Sequence, residues 1–419
     1  MDDDPSEPPG PPDNGTILLE VVKAFEICSN AATHADLKPA ERVERLVQAH
    51  SSLMAAFGPG HRVTFADILD RLSGDQAGML EGLIPAWLDA TDLSGVRLLD
   101  PEGIPTAGGF DFRQEAELVR WKAAKLGKQP EGVTAQGLDA EYSQESVFRS
   151  IKGDFYQRHR TTLITRPVVP TSELPDLLLP LQANRFYQPI EQYAQYQGWF
   201  FPCTACQWPM KITLTRSGRR ARGTVQCLYP WHADTGSVYV FTPTTGSEPP
   251  VLHPDFECRQ PSARHARLWT GTLPHIPQPL RASDHLALHR AVWRYTTVSG
   301  LPELKTHQAL EEALAGTGCT PALWPFNDTF DHAVMSPHGE VLFSADFKDY
   351  TWQNHLIAKI HRDAGDSGGA KWLIVPDHRS EQVDHLNAAG RPYDLQAITA
   401  TDYLTMVVET VKENPRDGQ

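Results

Sequence analysis

The sequence predicts a multidomain α+β chain: a helical amino-terminal region, a small cysteine-bearing module and a carboxy-terminal α/β core. Three observations carry this. Apolar residues recur at helical spacing between residues 16 and 58. Cys203, Cys206 and Cys227 fall within one short stretch. Residues 283–412 alternate helical segments with short apolar runs. At 419 residues the chain is long enough for two or three domains with buried cores.

Charge narrows the function classes. Lys and Arg number 38 against 52 Asp and Glu, a net charge of −14 at pH 7. A whole-chain basic signature is absent, so any nucleic-acid contact must come from a local patch. No run of ~18 apolar residues occurs, so no membrane span is expected. No charged-then-apolar leader opens the sequence. Six cysteines are too few for a disulfide framework in a chain of this length, and a reduced cytoplasm is the expected compartment.

Residues 1–15 are polar and proline-rich and read as a disordered tail. Residues 16–165 read as a helical region. Ile17, Leu18, Val21, Val22 and Phe25 share one helical face, and Val43, Leu46, Val47, Leu53 and Met54 share another. Lys38-Pro39-Ala40-Glu41 has the form of a helix start, and Gly58-Pro59-Gly60 that of a stop. Further helical stretches are expected at 65–69, 82–88, 115–122 and 147–160. No chemistry is visible in residues 1–110, which suit a scaffold or partner-docking role. Prolines across 166–198 predict a linker. The cysteine module spans 199–245 and the carboxy-terminal core 283–412.

In the module, Cys203 and Cys206 stand two residues apart, so one tight turn can deliver both thiolates to one Zn²⁺. Cys227 suits a third ligand. His232, close in sequence, is the chosen fourth, with Cys258 or a water as competitors. The pattern resembles a zinc ribbon, in which two hairpin turns clamp the metal. That resemblance implies a structural Zn²⁺. A redox Cys-x-x-Cys is the other reading, but no strand-then-helix context surrounds the pair. Between the two halves lies a predicted hairpin carrying Lys211, Arg216, Arg219, Arg220 and Arg222 without a carboxylate. Beside Trp199, Trp208 and Trp231, it suits contact with a phosphate backbone. The bland reading is a solvated turn.

The core places Asp331 on one apolar run and Asp346-Phe347-Lys348 at the end of the next. Around them the expected order is a helix over 284–297, a helix over 304–314 and paired strands at 331–335 and 341–347. A helix over 352–362, strands near 371–376 and 395–398, and a helix over 401–411 follow. Alone, Asp-x-Lys at a strand end is often only a solvated edge. With this order around it, the region resembles the PD-(D/E)xK superfamily and its restriction-endonuclease-like core. Asp331 departs from the name-giving motif, with Phe330 in place of proline.

The resemblance implies a Mg²⁺-dependent endonuclease that hydrolyses DNA phosphodiester bonds. Asp331, Asp346 and the main-chain carbonyl of Phe347 would hold the metal. Lys348, two residues beyond Asp346, lies on the same strand face and would orient water or stabilise the transition state. Glu311 or Glu312 would supply the acid of the preceding helix, Glu303 less easily, and Gln353, on the helix after Lys348, is a further expected catalytic-site residue. His332, His355 and His378 are expected as surface or supporting histidines, since such a metal prefers oxygen. A nuclease core fused to a large helical region is also similar to the endonuclease-related proteins encoded beside the pPIWI-RE family in bacterial anti-phage islands. That implies restriction or antiviral defence with protein partners. The alternative is a non-catalytic nucleic-acid-binding or assembly subunit with a degenerate core.

Overall fold

In the computed structural model, residues 14–33, 37–125, 144–217, 220–244, 246–255 and 258–413 are described. Most of the expected amino-terminal tail lies outside them, and Asn14 already opens a helix. The chain divides into two compact units: Met1–Glu131 with Tyr350–His355, and Gly132–Asp349 with Leu356–Gln419.

The amino-terminal unit is helical. Helix Asn14–Thr33 buries Ile17, Leu18, Val21, Val22 and Phe25, the face its periodicity predicts. Helix Pro39–Phe57 starts at a proline, whose missing N–H costs nothing there, and Glu41 accepts from the Lys38 amide at 3.1 Å. Its buried face runs through Ala49, Leu53 and Phe57, while Val43 and Val47 are exposed. A short helix, Phe65–Leu69, is capped by Thr64. The helix expected at 82–88 is absent: Gly82 takes a left-handed φ of 72°, and turns run through this stretch. Helix Ala107–Lys125 holds residues 350–355. The buried Glu115 carboxylate accepts the amides of Thr351 and Trp352 at 2.8 and 3.0 Å, and Trp352 packs edge-on to Phe112.

In the carboxy-terminal unit the expected 147–160 helix is two, Gln144–Ile151 and Tyr156–Thr165, broken near Gly153 at φ 141°. Residues 166–198, expected as a linker, are woven into the core. Strands Val168–Pro170 and Tyr187–Pro189 flank His285–Leu288, both antiparallel to it. Prolines fit these edge strands, which need no N–H on their outer side. Val169, Phe186 and Ile190 are buried. The same pairing corrects the helix expected over 284–297. Its first part is the central strand of this small sheet, and a π-helical turn, Trp293–Val298, leads into helix Ser299–Leu314.

Lys211–Ser217 and Arg220–Gln226 form the expected hairpin, extended by Val238–Phe241 and His253–Pro254 into a four-stranded sheet. The principal sheet has five strands in chain order: Thr320–Leu323, His332–Met335, Val341–Phe347, Trp372–Val375 and Gln396–Thr399. The first three pair antiparallel and the last two join in parallel, with Ala345 opposite both His332 and Trp372. Leu310, Leu314, Val334, Ala345, Ile374, Tyr403 and Val407 form the core between this sheet and helices Ser299–Leu314 and Ala400–Glu413. In Trp372–Val375 the last three residues are buried and Trp372 partly so, as in parallel strands covered on both faces. Strand Thr320–Leu323 and helix Val383–Gly390 have no counterpart in the sequence reading, because one is short and holds Pro321 and the other covers little more than two turns.

Two of the predicted surface or supporting histidines are well packed. His332 is fully buried, with Nε2 at 2.9 Å from the Glu303 carbonyl oxygen. His378 stacks on Trp231 with rings 4.7 Å apart. Burial depresses both from 6.5 to about 3. The unfolded chain therefore takes up these protons near pH 6.5 while the folded chain does not. Stability is full above pH 6.5 and falls as pH drops toward 3, by on the order of 2 kcal/mol per histidine at pH 5. Melting temperature is compared at pH 7.5 and 5 in wild type and His378→Gln, and acidification is expected to be less destabilising in the variant by about the His378 share. An unchanged slope in that variant would count against the assignment.

Candidate active site and metal centre

The hairpin of the principal sheet brings Asp331 and Asp346 together. Asp331 immediately precedes strand His332–Met335, and Asp346 lies near the end of Val341–Phe347. Because these strands are antiparallel, with His332 opposite Ala345, the two acids meet at one end of the sheet. Asp331 Oδ2 accepts the Phe347 amide at 2.7 Å, which fixes its carboxylate against the next strand. Lys348 Nζ lies 2.5 Å from Asp346 Oδ2, and the Lys348 amide donates to the Ile374 carbonyl at 2.8 Å. The Asp346 and Lys348 side chains keep 14% and 17% exposure, enough to open the cluster to solvent without flooding it.

Arg160, Asp328 and Glu303 complete the cluster, and of these the sequence offered only Glu303, as its less easy choice. Arg160, on helix Tyr156–Thr165, is buried and reaches three carboxylates. It contacts Glu303 at 2.8 and 3.0 Å, Asp328 at 2.7 Å and Asp331 Oδ1 at 3.3 Å. Tyr156 donates its hydroxyl to Asp328 at 2.6 Å, and Trp324 Nε1 donates to Glu303 at 2.7 Å. Asp328 is delivered by a strained loop in which Trp324, Phe326, Asn327 and Asp328 all have φ between 48° and 64°. Such backbone costs of order 1–3 kcal/mol per residue and persists only where surrounding contacts hold it. The only hint of Arg160 and Tyr156 in sequence was that helix 147–160 is basic and aromatic.

Four carboxylates, Glu303, Asp328, Asp331 and Asp346, thus face two bonded cations, Arg160 and Lys348. Burial lifts Asp346 to about 7; Lys348 pulls it down and Asp331 pushes it up. Burial likewise lifts Glu303 to about 8, with Arg160 opposing. Burial also works against the Arg160 cation, but Glu303, Asp331 and Asp328 hold it well above its ordinary value. Like charges crowded in a poorly solvated site favour proton uptake or a bound cation. Glu311 is not in the cluster: its side chain is 60% exposed and faces His307. Glu312 is exposed and pairs with Arg267. Glu303, reached least easily in the sequence reading, is the acid that this helix brings in. Gln353 opens helix Gln353–Arg362 among the residues grouped with the amino-terminal unit.

The second constellation is Cys203, Cys206, Cys227 and His232. All four are buried, and their ligand atoms lie within 4.8 Å of one another. Cys206 and Cys227 sulfurs are 4.0 Å apart, and His232 Nδ1 is 3.8 and 3.7 Å from Cys203 and Cys227. Tetrahedral Zn²⁺ with Zn–S bonds of ~2.3 Å requires sulfurs about 3.8 Å apart, so the set fits zinc. Cys258 is outside this group. Burial opposes ionisation of all three thiols. At Cys203, hydrogen bonds from Cys206 and Cys227 and the nearby His232 outweigh it and lower that thiol, whereas Cys206 and Cys227 are driven up. The amides of Ala205 and Tyr229 and the Trp293 indole donate to the sulfurs at 3.3–3.4 Å, the support that ligating thiolates take from a second layer. Gly236, at φ 128°, closes the loop behind His232, where a side chain would collide with Cys258 at 2.8 Å.

The basic hairpin is less free than its sequence suggests. Arg222 pairs with Asp255 at 2.5 Å, and Trp208 is buried, stacked on Trp293 with centroids 4.3 Å apart. Lys211 begins the first strand; Arg216 and Arg220 lie opposite Ala221 and Ser217 near the tip. Arg219 lies outside the described residues. Among the described residues no helix is long and apolar enough to cross a membrane.

Residues 300–415 match the family described as "REase associating with pPIWI_RE". The matched segment begins just before Glu303 and takes in Asp328, Asp331, Asp346 and Lys348, so all four clustered carboxylates and the lysine lie within the matched residues. Arg160 and the Cys203–His232 centre lie before it. The match links the segment to restriction endonucleases and to pPIWI_RE. No curated protein and no solved structure gives a significant match to the chain.

Proposed function

We propose that this chain is a Mg²⁺-dependent endonuclease of restriction-endonuclease type that hydrolyses DNA and works with pPIWI_RE-class partners in anti-phage defence. The observation that carries this is the meeting of Asp331, Asp346 and Lys348 at one end of a mixed sheet, inside the segment that matches the REase family. The strand order, with an antiparallel hairpin continuing into parallel strands, suits a restriction-endonuclease-like core. The Cys203–His232 centre suits a zinc ribbon, and Lys211, Arg216, Arg219, Arg220 and Arg222 on its hairpin would grip the phosphate backbone. A net charge of −14 argues for a partner that helps hold DNA.

In this reading Asp331, Asp346 and the Phe347 carbonyl hold Mg²⁺, a hard cation that takes few protein oxygens and keeps several waters. Bound there, Mg²⁺ would supply Lewis-acid activation of a water and counter-charge for the scissile phosphate. Lys348 holds that water or donates to the developing oxyanion. The Phe347 amide keeps Asp331 turned toward Asp346. Arg160 binds Glu303, Asp328 and Asp331, which limits repulsion before substrate arrives.

The test is DNA cleavage with Mg²⁺, with pPIWI_RE partner and without. Glu303→Gln is expected to lower the rate about 10²-fold, and Glu311→Gln to leave it within about twofold. Loss of activity in Glu311→Gln alone would overturn this assignment of the helix acid. An inert wild type across DNA substrates, with partner present, would overturn the nuclease reading.

A further inference from the structure

The stretch between the metal ligands Cys227 and His232 carries two aromatic residues that lead to the segment next to Lys348. Tyr229 donates its hydroxyl to the Asp349 carboxylate at 2.9 and 3.2 Å. His378 Nε2 lies 2.8 Å from the same hydroxyl. One hydroxyl has one proton, so the consistent arrangement is His378 Nε2–H donating to Tyr229 and Tyr229 donating to Asp349. Trp231, the neighbour of ligand His232, stacks on the His378 ring at 4.7 Å and 10°.

A second route leaves the same centre by another ligand. Trp293 Nε1 contacts the Cys206 sulfur at 3.3 Å. The next residue, Arg294, is 2% exposed and donates to Asp349 twice, to Oδ2 at 3.1 Å and to the main-chain carbonyl at 3.1 Å. Trp293 and Arg294 open the π-helical turn, an uncommon geometry that often marks functional sites and that here sets consecutive side chains on the two targets. Arg379 adds a bond to Asp349 Oδ1 at 3.0 Å. Asp349 directly follows Lys348, whose amide is held by Ile374. The peptide that aims the Lys348 side chain is thus clamped on both sides, and two of the clamps originate at metal ligands.

We infer that the Cys203–Cys206–Cys227–His232 centre positions Lys348, with Tyr229 and Arg294 as the positioning residues that transmit its geometry through Asp349. This rests on the nuclease reading for its consequence in catalysis, but not for the coupling itself. A buried, fully bonded carboxylate between two arginines makes a rigid anchor, and a displacement near 1 Å of a reacting group can cost about 10²-fold in rate. The metal would therefore hold the catalytic lysine in place as well as the fold of its own module.

The experiment uses the full chain and zinc as the probe. Amide hydrogen exchange over residues 346–349 is compared in zinc-loaded protein, in protein stripped with a mercurial, and in Tyr229→Phe, which keeps the ring and loses one hydroxyl. Arg294→Lys, which keeps the charge and loses the carbonyl bond, is the second variant in case the first alters folding. Tyr229→Phe is expected to retain one zinc per chain and to speed exchange over 346–349 about tenfold, with residues 341–345 unchanged. Its kcat for DNA cleavage falls about tenfold or more while KM stays, and a purely structural defect would move KM and melting temperature as well. Unchanged exchange over 346–349 in the folded, zinc-loaded Tyr229→Phe and Arg294→Lys proteins overturns the inference. An inert wild type with normal exchange coupling overturns only the nuclease reading.

Discussion

Asp346→Asn and Lys348→Met are each expected to lower Mg²⁺-dependent DNA cleavage about 10³-fold, with zinc content and secondary structure unchanged. Both replacements keep approximate volume, so the effect reports charge. Asp346 is the more exposed partner of the acidic pair and has Lys348 at 2.5 Å. Its conversion to an amide removes a proposed metal ligand and leaves Lys348 without its counter-charge. Lys348→Met leaves the proposed metal ligands in place but removes the cation proposed to meet the developing oxyanion. The two variants therefore separate by metal affinity: Mg²⁺ titration should weaken in Asp346→Asn and hold in Lys348→Met. Asp331→Asn is a poorer test, since Asp331 also fastens the Phe347 amide and meets Arg160, and it is expected to lose stability together with activity. Cleavage at wild-type rate by both conservative variants would end the assignment of this site.

Removing the metal centre is expected to have the largest effect on stability. Cys206→Ser should lower zinc from one per chain to none and leave the carboxy-terminal unit partly unfolded at ambient temperature. Structural zinc in small domains supplies apparent binding energies of ~10–16 kcal/mol, more than a typical domain's net stability of ~5–15 kcal/mol. Cys203, Cys206, Cys227 and His232 are buried, the three cysteines in one core with Phe200, Phe201, Trp208, Met210 and Tyr229. Without the ion, three buried thiols and an imidazole would stand in that core without adequate partners. Metal analysis and circular-dichroism melting check this. A folded Cys206→Ser protein that still carries zinc would show that the set is not the ligand sphere, while a stable zinc-free protein would make the thiols ordinary core residues.

Local patterns were readable where the signal was local. The first helix declares itself by Ile17, Leu18, Val21, Val22 and Phe25, all on one buried face. Cys203 and Cys206 sit in one turn, and Cys227 and His232 are five residues apart, so ligand spacing carried the cluster. The hairpin of 331–347 follows from two apolar runs around Pro337-His338-Gly339, where Gly339 takes φ 83°. Where several arrangements shared one pattern, the reading failed. Residues 284–297 look helical by apolar spacing, but pairing of His285–Leu288 with two proline-bearing strands decides otherwise. The prolines of 166–198 mark edge strands as readily as a linker.

By itself, the sequence determined the helical amino-terminal region, the grouping of Cys203, Cys206, Cys227 and His232, and the two strand ends carrying Asp331 and Asp346-Phe347-Lys348. Those properties are set by neighbours within a few residues, where spacing fixes geometry. Only the tertiary structure decided that Glu303 rather than Glu311 faces the pair. One helix exposes some of its acids and buries others, and what packs against it selects between them. Only the tertiary structure brought Arg160 into contact with three carboxylates from more than a hundred residues away. The same holds for Tyr229 and Asp349, 120 residues apart and joined by one hydroxyl. Charges that distant meet because burial of the surrounding core forces them together, and no periodicity in the chain records which pairs will do so.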